Sequence, residues 1–505
     1  MGKAKTPSFI LELGLETSSH NEAELNARFE AARQLYNACL SEAKQRLELL
    51  RQSKAFQETR SMPKTVNGKP NKERTEAFKA LNAKFGFTEY DIHAYTIEIR
   101  NSWLGDHIDS ATAQKLASRA FKAVQRIAFG QAKRVRFKGK NQLKSVEGKS
   151  NKAGIRYKEK TGQVEWLGLK LQCIIDVNDK VVVHGLSCPV KYCRIIKRIF
   201  NGKARFFVQL ILEGKPFIKE KNKAASNTVG LDIGPSTIAC VTDDNATLEL
   251  FCDELKDKQK EIRRLQRSLE RKRRANNPQN YNPDGTIKKG KKTWHYSNRY
   301  KKVQHKLADL QRKLAAHRKT LHGNLANRIL RQGKHVKTEK LSYKAFQKNF
   351  GKSVKNRAPG MFLEILRRKA ENAGGSVVEF STKTTKLSQY CHKCGQYTKK
   401  PLSQRWHTCC GLNIQRDLYS AFLAGSVVEN TLDTADVIKR WRSTETVLLR
   451  AVSHNTQVAN GRHLPSSFGL RVRDRATRLR SSDVLEKGIP DAKNRDVVAI
   501  QLELF

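Results

Sequence analysis

The stretch Val229-Gly230-Leu231-Asp232-Ile233-Gly234 sets the tightest constraint on how this chain can fold. It places a carboxylate inside an apolar, β-prone run, where burial is costly without a cation nearby. On pattern alone two arrangements stay open: Asp232 points to solvent from an edge strand, or it meets a cation from an interior one. Two further acids occupy comparable places. Glu339 closes the β-prone run His335-Val336-Lys337-Thr338-Glu339, and Asp417 follows Gln415-Arg416 at the start of a helical pattern. Taken singly, Glu339 and Asp417 read as ordinary surface acids. Phosphodiester hydrolysis with two divalent ions roughly 4 Å apart, however, needs carboxylates delivered by separate segments to one sheet edge.

Charge narrows the choice of partner. The 505 residues hold 98 Lys and Arg against 48 Asp and Glu, a formal net charge of +50. Such an excess opposes compaction unless a polyanion neutralises it, and nucleic acid is the natural candidate. A membrane surface is the competitor, but no apolar run approaches the roughly 20 residues that a spanning helix needs. The N-terminus shows no apolar signal-peptide core, and the match of Gly2 and Thr6 to a loose myristoylation pattern is attributed to chance. Four of the ten cysteines cluster between positions 391 and 410. That distribution favours a metal site in a reducing compartment over a disulfide framework.

A chain of this length divides into several domains. Residues 8–17 alternate apolar and polar, as a half-buried strand does. After Lys133, short β-prone runs recur at Val164-Glu165-Trp166, Cys173-Ile174-Ile175, Val181-Val182-Val183 and Phe206-Phe207-Val208-Gln209-Leu210. Residues 1–20 and 131–223 are therefore expected to form one β-barrel-like domain, with residues 21–130 as a helical insertion. In that insertion Leu25, Phe29, Tyr36, Leu40 and Leu47 keep helical spacing, and Lys115, Arg119, Lys122 and Arg126 line one basic face. Residues 224–387 and 412–428 alternate strand and helix, which predicts an α/β sheet domain. Within it, residues 254–320 carry 22 Lys and Arg against six Asp and Glu. They read as a basic helical hairpin, with Leu255, Ile262, Leu265 and Leu269 facing Val303, Leu307, Leu310 and Leu314, and as a rail for phosphate backbones. Residues 429–505, with Arg471, Arg473, Arg475, Arg478 and Arg480, read as a mobile basic tail.

Residues 388–411 contain Cys391-x-x-Cys394 and His407-x-x-Cys410, two ligand pairs suited to tetrahedral zinc. Cys409 is the alternative to His407, and His392 a more remote one. His407 is preferred because adjacent cysteines do not easily both approach one ion.

Asp232-Ile233-Gly234, Glu339 at the end of a strand and Asp417 behind a cysteine knuckle resemble, in that order, the three motifs of a RuvC-like nuclease domain. With the β/helical N-terminal half, the resemblance narrows to TnpB, a transposon-encoded RNA-guided nuclease, and its relatives the miniature type V CRISPR effectors. It covers most of residues 8–428. Gln415-Arg416-Asp417-Leu418-Tyr419-Ser420-Ala421 stands where TnpB proteins show Asp-Arg-Asp-x-Asn-Ala-Ala; Asp417 is kept, while Gln415, Tyr419 and Ser420 depart. The family's second cysteine pair is normally Cys-x-x-Cys, so His407 would replace a cysteine.

The resemblance implies an α/β, RNase H-like nuclease domain, a wedge-type barrel, a helical recognition insertion and a zinc knuckle. It implies an Mg²⁺-dependent endonuclease in which Asp232, Glu339 and Asp417 hold two Mg²⁺ ions and the knuckle holds a structural Zn²⁺. The implied partners are a guide RNA and target DNA, with no membrane, in a prokaryotic cytoplasm and on the nucleoid when bound to DNA. The departures around Asp417 keep open a guide-dependent DNA-binding protein that does not cut, repressor-like or a transposon accessory. An actin-like ATPase also uses Asp-x-Gly, but the charge and the knuckle speak against it.

Overall fold

Strand β1 (Ser8–Leu15) buries Leu11, Leu13 and Leu15 and pairs on both edges, so the N-terminal segment is an interior strand. The computed structural model describes residues 6–255, 257–401, 403–458 and 468–469. They form two compact units: residues 1–218 with 258–313, and residues 219–257 with 314–505.

In the first unit, α1 (Ser19–Gln52) starts at a capping box, where the Ser18 hydroxyl accepts from the Asn21 amide at 3.1 Å. α2 (Lys54–Ser61) leads into the small hairpin β2 (Thr65–Val66) and β3 (Lys69–Pro70), followed by α3 (Lys72–Lys84), α4 (Glu89–Arg100) and α5 (Ser110–Ala128). α5 buries Leu116, Ala120 and Val124 and packs along α1, leaving Arg119, Lys122 and Arg126 exposed. The sheet continues with β4 (Ser145–Glu147), β5 (Arg156–Lys158), β6 (Gln163–Trp166), β7 (Leu169–Ile174), β8 (Val190–Phe200) and β9 (Lys203–Glu213), in the order β4-β8-β9-β1-β7-β6-β5. Among the described residues its strands pair antiparallel throughout, with Leu11 opposite Leu210.

Two expectations fail in this unit. Val181-Val182-Val183 is helical, within α6 (Lys180–Leu186), because the Asp179 carboxylate caps the Val181 amide at 2.9 Å and the valines lie at the surface, where no partner strand rewards β-branching. The basic segment forms α7 (Gln259–Asn276) and α8 (Asn298–Gln332), but the two do not pack along each other as a hairpin. Residues 277–297 instead fold on themselves: Asn277 bonds the Arg273 and His295 carbonyls, Asn280 bonds the Thr293 carbonyl, and Tyr281 and the Arg273 guanidinium pack on Trp294. That local knot removes the short turn a hairpin needs. The basic residues of α7 do share a face, where Lys260, Arg263, Arg264, Arg267, Arg271 and Arg274 line a cleft of about 690 Å³.

The second unit is an α/β sheet built from β10 (Thr228–Ile233), β11 (Thr237–Val241), β12 (Ala246–Leu250), β13 (His335–Glu339) and β14 (Ser376–Phe380). Its order is β12-β11-β10-β13-β14, antiparallel from β12 to β10 and parallel from β10 to β14. α9 (Tyr343–Arg357) and α10 (Pro359–Asn372) lie between β13 and β14. α11 (Thr382–Thr385) and the hairpin β15 (Trp406–Cys409) and β16 (Leu412–Gln415) precede α12 (Arg416–Gly425). β17 (Val427–Val428) and β18 (Thr431–Leu432) then turn the chain into α13 (Thr434–Val458). Alternation splits the sheet into two faces. Val229, Leu231, Ile233 and Val336 pack with Leu325, Ile329 and Leu330 of α8 and Phe362 and Leu366 of α10. Ala239, Val241 and Leu248 pack with α12 and α13 on the other face.

The start of the expected mobile tail is therefore part of the core. Val437, Trp441, Thr444, Leu448 and Ala451 recur every three or four residues and are buried, so α13 is an outer layer over α12. The arginine run at 471–480 lies outside the described residues. Among those described, no helix is long and apolar enough to cross a membrane.

Gly230 fixes how α12 lies on the sheet. A Cβ there would meet the Ala421 carbonyl oxygen at 1.8 Å and the Gly425 nitrogen at 2.8 Å. Both obstacles are backbone, so Gly230→Ala is expected to cost about 3 kcal/mol or more by overpacking. A urea titration showing an unchanged midpoint would contradict this close approach.

Candidate functional site

The docking of α12 on Gly230 brings the three acids to one place. Gly230 and Asp232 project from the same face of β10. In the parallel register Gly230 pairs with Lys337 and Leu231 with Thr338, so Lys337 and Glu339 project from that same face of β13. Lys337 donates from Nζ to the Gly425 carbonyl at 3.0 Å, which ties this face to the C-terminal end of α12. Asp417 lies in the first turn of α12, where the helix dipole favours a carboxylate. Asp232 and Glu339 thus stand at the C-terminal ends of adjacent strands beneath the N-terminal end of a helix.

Their electrostatics express that grouping. Burial, then the charges of Asp417 and Glu339, push the Asp232 carboxyl well above the ordinary range, with Arg416 and Arg405 pulling the other way. Burial raises Glu339 to about 7. Asp417 is also raised by burial, against the pull of Arg416, Arg405, Gln415 and Thr237. Each acid retains some solvent contact; the Asp417 side chain is 14% exposed. An all-oxygen donor set whose members oppose one another's ionisation fits a hard dication such as Mg²⁺. Among the described residues the three carboxylates do not all come within 4.8 Å of one another. A pair of ions roughly 4 Å apart draws on a wider set of ligands.

Sequence reasoning missed two contributors. Thr237, at the start of β11, donates to Asp417 Oδ2 at 3.4 Å. Arg405 reaches the acids because the Arg416 amide donates to its carbonyl at 2.8 Å, next to the Trp406–Gln415 pair of the β15–β16 hairpin. Only that hairpin register could have revealed it. Gln415, where the family pattern has an acid, caps α12 by accepting from the Leu418 amide at 2.8 Å.

The knuckle corrects one ligand. The sulfurs of Cys391, Cys394, Cys409 and Cys410 lie within 4.8 Å of one another, against the ~3.8 Å edge of a tetrahedron with ~2.3 Å zinc–sulfur bonds. Cys394 and Cys409 approach to 3.7 Å, and Cys409 and Cys410 to 3.6 Å. His407 is not in the cluster. It is buried, its ring centroid 4.4 Å from that of Tyr419 and its Nδ1 2.7 Å from Lys400 Nζ. Adjacent cysteines do converge, because Cys410 and Gly411 take φ of +51° and +75° in the two-residue turn between Cys409 and Leu412. This left-handed pair folds the Cys410 thiol back toward its neighbour. Four thiols so placed could hold zinc.

Residues 360–423, which carry the knuckle and Asp417, match the family model described as Cas12f1-like, TNB domain. This stretch is similar to that domain. The match supports a miniature type V or TnpB-like effector, the group the three acid motifs resemble. No curated protein sequence matches the chain. One similar solved structure is described as a cryo-EM structure of the Cas12f1–sgRNA–target DNA complex. It is 12% identical at a TM-score of 0.40, covering 82% of this chain and 98% of that one. A second, described as a cryo-EM structure of a CRISPR-Cas12f ternary complex, is 11% identical at a TM-score of 0.25, covering 83% and 98%.

Proposed function

We propose that the chain is an RNA-guided DNA endonuclease with a RuvC-like, RNase H-like catalytic domain. The observation that carries this reading is the convergence of Asp232, Glu339 and Asp417 on one sheet face, beside a Cas12f1-like segment. In this reading a guide RNA pairs with the target strand and supplies sequence specificity, while the protein holds both through their backbones. The basic face of α7 is suited to phosphates in any sequence. Asp232, Glu339 and Asp417 would hold Mg²⁺, which when bound supplies charge stabilisation for the attacking and leaving oxygens of the phosphodiester. Thr237 steadies Asp417, and the Arg405 and Arg416 side chains oppose the negative charge of the acids. Cys391, Cys394, Cys409 and Cys410 would hold a structural Zn²⁺. A prokaryotic cytoplasm is the setting this activity implies.

The alternative, a guide-dependent DNA binder that does not cut, rests on Gln415, Tyr419 and Ser420, which replace residues of the family pattern beside Asp417. The two readings part in one experiment. Protein purified with its co-purifying RNA, the guide segment of which is identified by sequencing, is given matched duplex DNA and Mg²⁺. Guide-dependent, chelator-sensitive scission is expected. Tight target binding with no scission in Mg²⁺ or Mn²⁺ would establish the binder instead.

A further inference from the structure

Tyr419 stands where the family pattern has asparagine, and its side chain touches both halves of the cysteine cluster. Its hydroxyl accepts from the His392 amide at 3.0 Å and lies 2.9 Å from His392 Nδ1. His392 sits inside the Cys391-x-x-Cys394 loop. The Tyr419 ring meets that of His407, which lies two residues before Cys409 on β15. Both histidines and Tyr419 are buried. Among the described residues His392 Nε2 has no hydrogen-bond partner, and the tyrosine hydroxyl is the partner of Nδ1. On α12, Tyr419 is two residues from Asp417, which sets the two side chains roughly 200° apart. One faces the knuckle and the other the acids, on a single rigid turn.

We propose that Tyr419 is a positioning residue that transmits ion occupancy of the four-cysteine knuckle to the helical turn carrying Asp417. The inference rests on the zinc reading of that knuckle. It does not require that the chain cut DNA. With the ion in place, both cysteine loops are fixed, and through His392 and His407 they hold Tyr419 and the start of α12 in register with β10. Without the ion the clamp has nothing firm to grip.

The test is hydrogen exchange on the full-length protein, zinc-loaded and chelator-stripped, for wild type and Tyr419→Phe. Stripping zinc from wild type is expected to raise exchange of the 416–420 amides about tenfold, the effect of losing one buried hydrogen bond. In zinc-loaded Tyr419→Phe the same amides should already exchange about that much faster, with little further rise on stripping. Zinc should also pass to a chromogenic chelator several-fold faster from the variant, while amides of 437–448 in α13 stay at wild-type rates. Wild-type exchange at 416–420 that ignores zinc overturns the proposal without any variant. So does a variant matching wild type, or one whose exchange rises equally across α13, which would mark Tyr419 as mere core filling. A wild type that never cuts DNA would defeat the nuclease reading alone and leave these readouts intact.

Discussion

Asp232→Asn is expected to leave guide-dependent target binding within about twofold of wild type and to lower the cleavage rate by roughly 10³-fold or more, since metal-borne charge stabilisation is worth several kcal/mol. The substitution keeps the shape of the side chain and removes the charge on which Asp417 and Glu339 converge. A gel-shift titration beside a single-turnover cleavage assay separates the two effects. Cutting at wild-type rate by the variant would end the assignment of Asp232 as a metal ligand.

The same cluster predicts how stability depends on pH in the metal-free protein. Glu339 titrates near 7 when folded and near 4.3 when unfolded. The folded state therefore binds this proton more tightly. Its stabilising contribution is complete below about pH 4.3 and is lost as pH rises to about 7. The raised pKa of Asp232 acts in the same direction. Mg²⁺ competes with these protons, so it should raise Tm by several degrees at pH 8 and by much less at pH 5. In Asp232→Asn that difference should shrink. An Mg²⁺ effect equal at both pH values would count against the acids as its site.

The second large effect concerns the knuckle. Wild type is expected to retain one equivalent of zinc per chain, Cys409→Ser to lose it and His407→Ala to keep it. Metal binding is coupled to local folding, so the serine variant should also loosen the β15–β16 hairpin. Metal analysis of the two purified variants checks this directly. The reverse outcome, zinc lost with His407 and kept without Cys409, would restore the ligand set that residue spacing alone suggests.

What could be read in advance followed from how local each determinant is. Asp232, Glu339 and Asp417 could be singled out because each ends or opens an element whose apolar pattern is visible over five or six residues. The helix docking that brings Asp417 to the other two could not, since it depends on Gly230 admitting α12 against bare backbone. The preference for His407 over Cys409 in the knuckle failed for a similar reason. The convergence of the adjacent cysteines depends on a left-handed cysteine, a conformation that non-glycine side chains seldom adopt. The regular spacing of α13 is masked because Lys439, Arg440 and Arg442 interrupt its first apolar positions. α6 shows the opposite error, where three consecutive valines outweighed a single capping aspartate.

The layer that α13 forms has a practical side for anyone trimming this chain for delivery or display. Arg440 bonds Asp243 Oδ1 at 2.6 Å and Ser426 Oγ at 2.8 Å and lies over the Phe422 ring, so this helix rivets α12 to the β11–β12 turn beside it. Deletions that reach inward of Ala451 would uncover Phe422 and Trp441 to water and invite aggregation. The shortest workable version of the polypeptide is thus set from outside the three acids.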